Sequence, residues 1–264
     1  MVQNSLVADY ENDGFVVIPK LVTKERISEL INSFRSVVSR LTSSSLMDCS
    51  IDDLIKAYSD LRATNPASSG AVYDSMTASL SVQSLFTSKE VVDHVKTLMK
   101  IENSELSHFF RCMRLDPPGE NMNELGWHQD FQDSEHPSLN AIDGLTVWIP
   151  LTPVGPEKGS MEVCYGSHRN RIGAVKVEDS VSGNSSKAIV IESSEADKFE
   201  RHVIELEPGD AVFMNMNVLH RTYPAPASAS WRFTVLGRYF NVSSESFLPG
   251  AQRYIPSKGI QSKA

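Results

Sequence analysis

The sequence predicts an α+β fold, mainly β, in which N-terminal helices buttress a double-stranded β-helix, or jelly roll. Three observations lead there. Helical periodicity is confined to the N-terminal part, residues 1–106. From about residue 107 the chain turns into short runs of β-forming residues punctuated by Pro and Gly. No internal repeat or linker divides the 264 residues, a length that one β-barrel-like domain can fill. Helices first and strands after suit an α+β arrangement. The expectation is one domain, 1–264, with a mainly helical part over 1–106 and a jelly-roll core over 107–245.

Asp13-Gly14 signals a turn, and Phe15–Ile18, closed by Pro19, a short strand. Thr23 is a plausible N-cap. Ile27, Leu30, Ile31, Phe34, Val37, Val38 and Leu41 recur at helical spacing, so residues 24–41 predict an amphipathic helix. Ser50 and Asp53 resemble a capping box opening a second helix over 51–61. Residues 62–75, rich in Ala, Ser, Asn and Pro, read as a loop. A further helix over 89–100 buries Val91, Val92, Val95, Leu98 and Met99. The strand candidates are His108–Leu115, Leu125–Phe131, Leu145–Leu151, Ser160–Tyr165, Val203–Leu206, Ala211–Asn217 and Trp231–Asn241. Residues 176–201 form a polar, Ser- and Glu-rich excursion, either a lid or insertion loop over a site or a plain surface loop.

Composition narrows the function. Hydrophobic residues make up 41% and charged residues 22%, ordinary for a globular protein. A net charge of −8 argues against a nucleic-acid partner. No apolar run is long enough to span a bilayer. The start lacks the basic and apolar segments of a secretory leader. Cys49, Cys112 and Cys164 are odd in number and contain no C-x-x-C, which suits a reducing compartment. A cytoplasmic location is the expectation. Ser262-Lys263-Ala264 resembles a peroxisomal tripeptide and is read as a chance ending.

The chemistry concentrates in Trp127-His128-Gln129-Asp130-Phe131. On an extended strand, residues i and i+2 share a face. His128 and Asp130 can then aim an imidazole nitrogen and a carboxylate oxygen at one point. His220, beyond the turn Glu207-Pro208-Gly209-Asp210 and the strand that follows, is the candidate third ligand. Two His and one carboxylate on one side of a metal leave the other side open, the arrangement of non-haem Fe(II) oxygenases. An H-x-D on its own could equally be a structural hydrogen-bonded pair. In the strand 231–241, alternation places Trp231, Phe233, Val235 and Tyr239 on one face and Arg232, Thr234, Leu236 and Arg238 on the other. An arginine inside a barrel needs an anionic partner. A dicarboxylate cosubstrate would provide one, and the planar guanidinium fork suits it. Thr222 could add a hydroxyl to the same carboxylate, and Arg238 is the alternative arginine.

Several stretches together resemble the phytanoyl-CoA dioxygenase family of Fe(II)/2-oxoglutarate-dependent oxygenases, which includes ectoine hydroxylase. They are Asp13-Gly14-Phe15-Val16-Val17-Ile18-Pro19, Trp127–Phe131, Leu145-Thr146-Val147-Trp148-Ile149-Pro150-Leu151, Gly159-Ser160-Met161-Glu162-Val163, Gly166-Ser167-His168, Pro208-Gly209-Asp210, and His220 with Arg232. They run in family order over about 13–240. The resemblance implies that His128, Asp130 and His220 hold Fe(II), that Arg232 and Thr222 bind the far carboxylate of 2-oxoglutarate, and that O2 is the oxidant. It places Arg111 or Arg114 near a polar position that touches the cosubstrate. Trp148 is either core or a flank of the cosubstrate. Gln129, Phe131, Arg114 and Met216 are candidate substrate contacts; each could equally serve packing or, for Arg111 and Arg114, a surface salt bridge.

The implied activity is oxidation of an unactivated C–H of a small molecule. Hydroxylation is the default, with desaturation or cyclisation possible, in a tailoring step of secondary metabolism. Asp130 argues against halogenation, since halogenating relatives carry a small residue there. The rival readings are a non-catalytic jelly-roll protein that binds metal or carboxylate, and a cupin-like metal-dependent isomerase. No nucleic acid or membrane partner is expected, and the protein is expected to be a monomer or homodimer. The substrate is not legible, because substrate contacts sit on variable loops.

Overall fold

The computed structural model describes residues 2–43, 45–118, 124–130, 143–170, 172, 176–179, 187–227 and 229–244. Phe131 lies outside the described residues. The helices are α1 (Val2–Asp13), α2 (Lys24–Thr42), α3 (Ile51–Thr64), α4 (Pro66–Thr77), α5 (Leu80–Phe86), α6 (Lys89–Met99) and α7 (Ser193–Ala196). The strands are β1 (Phe15–Ile18), β2 (Leu106–Asp116), β3 (Gly144–Pro150), β4 (Ser160–Cys164), β5 (Lys176–Asp179), β6 (Lys187–Val190), β7 (Arg201–Val203), β8 (Ala211–Asn215), β9 (His220–Tyr223) and β10 (Arg232–Asn241).

Thr23 caps α2 by accepting from the Arg26 amide, and Ser50 caps α3 by accepting from that of Asp53. Both satisfy amides that a helix start would leave unpaired. Three helices depart from the sequence reading. The stretch 62–75, expected to be a loop, completes α3 and forms most of α4. There Asn65 caps by accepting from Ser68 and Pro66 occupies the first turn, where its missing N–H costs nothing. Pro66, counted toward a loop by composition, is a helix start. Ser79 likewise caps α5, and α1 precedes the Gly14 turn.

Two sheets face each other. The larger has the order β1-β8-β3-β10-β2, the smaller β7-β4-β9. Every pairing in both is antiparallel. Alternation sorts the larger sheet's side chains. Met113, Leu115, Leu145, Val147, Ile149, Phe213, Phe233, Val235 and Tyr239 point outward and pack on Leu30, Phe34, Val38, Val72, Met76, Phe86 and Val95 of the helices. Phe34 meets Phe233 edge-on with ring centroids 5.1 Å apart. Inward-facing Trp148, Val212 and Met214 join Phe15, Met161, Val163 and Val218 between the sheets.

Two glycine turns fix the frame. Gly14 has φ +85, and a Cβ there would lie 2.4 Å from His168 Nδ1. Gly209 has φ +99, and its Cβ would meet the Val22 carbonyl at 2.6 Å. A side chain at either is excluded twice, by conformation and by space. Asp210 finishes the Pro-Gly-Asp turn by accepting from the amides of Lys20 and Glu207, both at 2.9 Å.

The segment 125–131, expected as a strand, is not one in its described part. His128 pairs with His220 as an isolated bridge, with both backbone hydrogen bonds at 2.9 Å, and Asp130 sits in a turn. Residues 124–130 therefore run along the edge of β9 without extending the sheet. The described part of the excursion 176–201 holds the β5–β6 hairpin and α7. Its end is anchored to this same segment, where the Ile191 amide donates to the Trp127 carbonyl at 2.7 Å. Among the described residues, no helix is long and apolar enough to cross a membrane.

Candidate active site

The space between the sheets contains a small cavity of about 70 Å³. The larger sheet lines it with Arg114, Thr146, Trp148, Met214, Arg232, Leu236 and Arg238, and the smaller with Ser160, Met161, His220, Arg221 and Thr222. Leu125, His128 and Asp130 close one side.

His220 opens β9, opposite Val163 of β4. Its approach is fixed by Ser167, whose hydroxyl accepts from the Leu219 amide and donates to the Cys164 carbonyl, both at 2.8 Å. That bond explains the Gly166-Ser167-His168 motif, and His168 itself packs under the Gly14 turn. Gln129 ties down the segment carrying His128 and Asp130. Its amide donates to the carbonyls of Asn170 and Asn217 at 3.0 and 2.5 Å and accepts from the Ile172 amide at 3.2 Å.

The two imidazoles are turned alike. Nδ1 of His128 lies 2.7 Å from the Gly126 carbonyl, and Nδ1 of His220 lies 3.0 Å from that of Val218. A carbonyl only accepts, so each Nδ1 carries the hydrogen and each Nε2 offers a lone pair. Both Nε2 atoms are 4.0 Å from Asp130 Oδ1. The three prospective donor atoms all lie within 4.8 Å of one another. Burial, with the neighbouring His220 ring, pushes the His128 pKa down to about 3, and burial lowers that of His220 as well. Burial alone would raise the Asp130 pKa, but Arg238, with His220 and His128, more than reverses this and holds it at about 2. Two neutral imidazoles and one carboxylate form a donor set that fits a divalent first-row metal with an open side.

Asp130 is held at both oxygens. Arg238 donates from Nη2 to Oδ1 at 2.6 Å, and the Thr146 hydroxyl donates to Oδ2 at 2.7 Å. Across the cavity, Arg232 is 7% exposed and has an anionic partner already. Its Nε and Nη2 donate to Asp116 Oδ2 at 3.1 and 2.7 Å, and its Nη1 donates to the Ser160 carbonyl at 2.6 Å. The Thr222 hydroxyl, nearby in the lining, accepts from the Leu125 amide at 3.1 Å.

The structure thus brings His128, Asp130, His220, Arg232, Thr222, Trp148 and Arg114 to one cavity. Arg111 does not join them. It is odd-numbered on β2, so it faces the helices, and its Nε donates to the Thr77 carbonyl at 3.1 Å. Gln129 is spent on backbone groups, and Met216 is 1% exposed with its sulfur against Gly144; neither lines the cavity. Sequence reasoning missed Thr146 and Asp116. Thr146 was legible as an inward position of the β3 alternation. Asp116 required the β2–β10 register that sets it opposite Arg232.

Comparison with known proteins identifies the family. The family model described as phytanoyl-CoA dioxygenase (PhyH) matches residues 10–233. The chain belongs to the phytanoyl-CoA dioxygenase family, whose members are 2-oxoglutarate-dependent non-haem iron oxygenases. No curated protein matches the chain by sequence. Among solved structures, the fold is similar to that of the epimerase SnoN in complex with Fe3+, alpha ketoglutarate and nogalamycin RO. There the TM-score is 0.62 at 18% identity, covering 98% of this chain and 91% of that one. It is also similar to EctD from S. alaskensis with 2-oxoglutarate and 5-hydroxyectoine (TM-score 0.56, 16% identity, 90% of this chain and 75% of that one). A third similar structure is SnoK, an alpha ketoglutarate dependent carbocyclase from nogalamycin biosynthesis (TM-score 0.56, 16% identity, 90% and 83%).

Proposed function

We propose that the chain is one oxygenase domain that uses Fe(II), 2-oxoglutarate and O2 to oxidise an unactivated C–H of a small molecule. The observation that carries the reading is the convergence of His128 Nε2, His220 Nε2 and Asp130 Oδ1 on one point of the cavity wall. These three would hold the iron. With 2-oxoglutarate and O2 bound, iron would supply an oxidant strong enough to remove hydrogen from such a carbon, with succinate and CO2 as coproducts.

The protein's own residues do the rest. The carbonyls of Gly126 and Val218 fix both imidazole tautomers. Thr146 and Arg238 keep Asp130 ionised and oriented. Arg232, at the far end of the cavity, would hold the distal carboxylate of 2-oxoglutarate. Asp116 and Ser160 take three of its N–H bonds out of the five that a guanidinium offers. The cosubstrate would share the guanidinium with Asp116, so the buried charge is partnered before it arrives. Thr222 would assist the same carboxylate, and Trp148 and Met214 would help exclude water.

An epimerase and a carbocyclase from an antibiotic pathway lie among the similar folds. They support a tailoring reaction in secondary metabolism and an outcome that includes cyclisation or epimerisation as well as hydroxylation. The test is succinate release coupled to O2 uptake, measured with Fe(II) and 2-oxoglutarate across a panel of small polycyclic and glycosylated substrates. Substrate-stimulated succinate that disappears without iron supports the reading. A protein that binds iron and 2-oxoglutarate yet gives no succinate, even slowly and uncoupled, would be a binding protein instead.

A further inference from the structure

Arg238 is the alternative arginine of the sequence, and the structure sets it against Asp130 in the cavity lining. Oδ1 of Asp130 is the oxygen 4.0 Å from both imidazole Nε2 atoms, and the same oxygen accepts from Arg238 Nη2 at 2.6 Å. Oδ2 is taken by the Thr146 hydroxyl. A divalent ion held by the three residues would therefore share the Asp130 carboxylate with a guanidinium. The Arg238 side chain is only 23% exposed, so solvent screens this pair of cations weakly.

We propose that Arg238 couples the two binding events at this site, disfavouring a bare metal ion and favouring the metal together with an anionic keto acid. The inference rests on the functional reading above. Its logic is electrostatic. Arg238 orients Asp130, which helps a metal, but its charge stands at short range from a dication, which opposes the metal more strongly. A keto-acid anion entering the open side of the metal supplies the missing negative charge. Arg238 lines the same cavity, so that anion is attracted by both cations at once. Each ligand then raises the affinity for the other by the same factor, as linkage requires. The consequence is a site that keeps metal poorly until cosubstrate is present.

The test is a titration of the full-length protein with Co(II), followed by its visible absorption, without and with saturating 2-oxoglutarate. Wild type should bind Co(II) more tightly when 2-oxoglutarate is present. In Arg238→Gln, Co(II) alone should bind as tightly as in wild type or more so, and the enhancement by 2-oxoglutarate should shrink about tenfold or more. Arg238→Lys keeps the charge and should retain most of the enhancement, which a purely structural role would not predict. Two results overturn the inference: an undiminished enhancement in Arg238→Gln, or Co(II) alone bound more weakly there than in wild type. Wild type that binds no Co(II) removes the functional reading itself and this inference with it.

Discussion

Strand β10 has two unlike faces. On the helix side, Phe233, Val235 and Tyr239 are at most 1% exposed and belong to the main apolar core. On the cavity side, Arg232, Leu236 and Arg238 line the site, and both arginines are bound to buried aspartates. Neighbouring residues along one backbone therefore serve different ends. The outer face stabilises the fold through close packing, while the inner face holds charges that a folded protein would not choose for stability alone. Substitutions on the two faces should separate into losses of folding and losses of chemistry.

The largest effect expected is on chemistry. His220→Ala should bring 2-oxoglutarate turnover to background, because losing a ligand exceeds the ~10–100-fold cost of losing a supporting hydrogen bond. Circular dichroism should remain that of the native fold. Next, Phe233→Ala should lower unfolding stability by about 3–5 kcal/mol, read from urea titration, since it leaves a void against Phe34. Its folded fraction should bind metal as wild type does. Equal loss of both properties would show that the faces are not separable.

Arg232→Lys should raise the 2-oxoglutarate concentration needed for half-maximal rate about tenfold while shifting iron affinity far less, because lysine lacks the planar fork. Comparable loss of both would count against its proposed contact. The smallest effect on chemistry is expected from Gly209→Ala, whose turn does not line the cavity. Its φ of +99 and the 2.6 Å approach to the Val22 carbonyl should cost about 1–3 kcal/mol of stability, seen as a lower thermal midpoint with the specific activity of folded enzyme unchanged.

What the sequence revealed follows the range of the interactions involved. Helix α2 was legible because its apolar stripe and its Thr23 cap are local. So was the Pro208-Gly209-Asp210 turn. His128, Asp130 and His220 were legible as residue types in a familiar order. The start of α4 carried a readable signal in Asn65 and Pro66, but the low apolar content of the stretch concealed it. The edge segment at 125–130 looked like a strand because Trp127 and Leu125 alternate with polar residues. His128 pairs with β9 as an isolated bridge, and the Thr222 amide also donates to the Leu125 carbonyl without extending the ladder.

The partners of the arginines were hidden for a different reason. Asp116 meets Arg232 through the β2–β10 register, and Arg238 reaches Asp130 beside Thr146 through the β10–β3 register. Sheet order joins residues 116 and 108 positions apart, and nothing local records it. The alternation of β10 correctly placed both arginines inside. It could not say that one would stand against Asp130 and the other across the cavity.

The central claim is that three side chains hold one metal with an open side for a keto acid. Anaerobic titration with Fe(II) and 2-oxoglutarate tests it most directly, by the visible charge-transfer band that forms when the keto acid chelates the iron. The account predicts a band that saturates at one iron per chain in wild type and is lost in His220→Ala. Absence of the band in wild type at saturating ligands, or an undiminished band in His220→Ala, would contradict it.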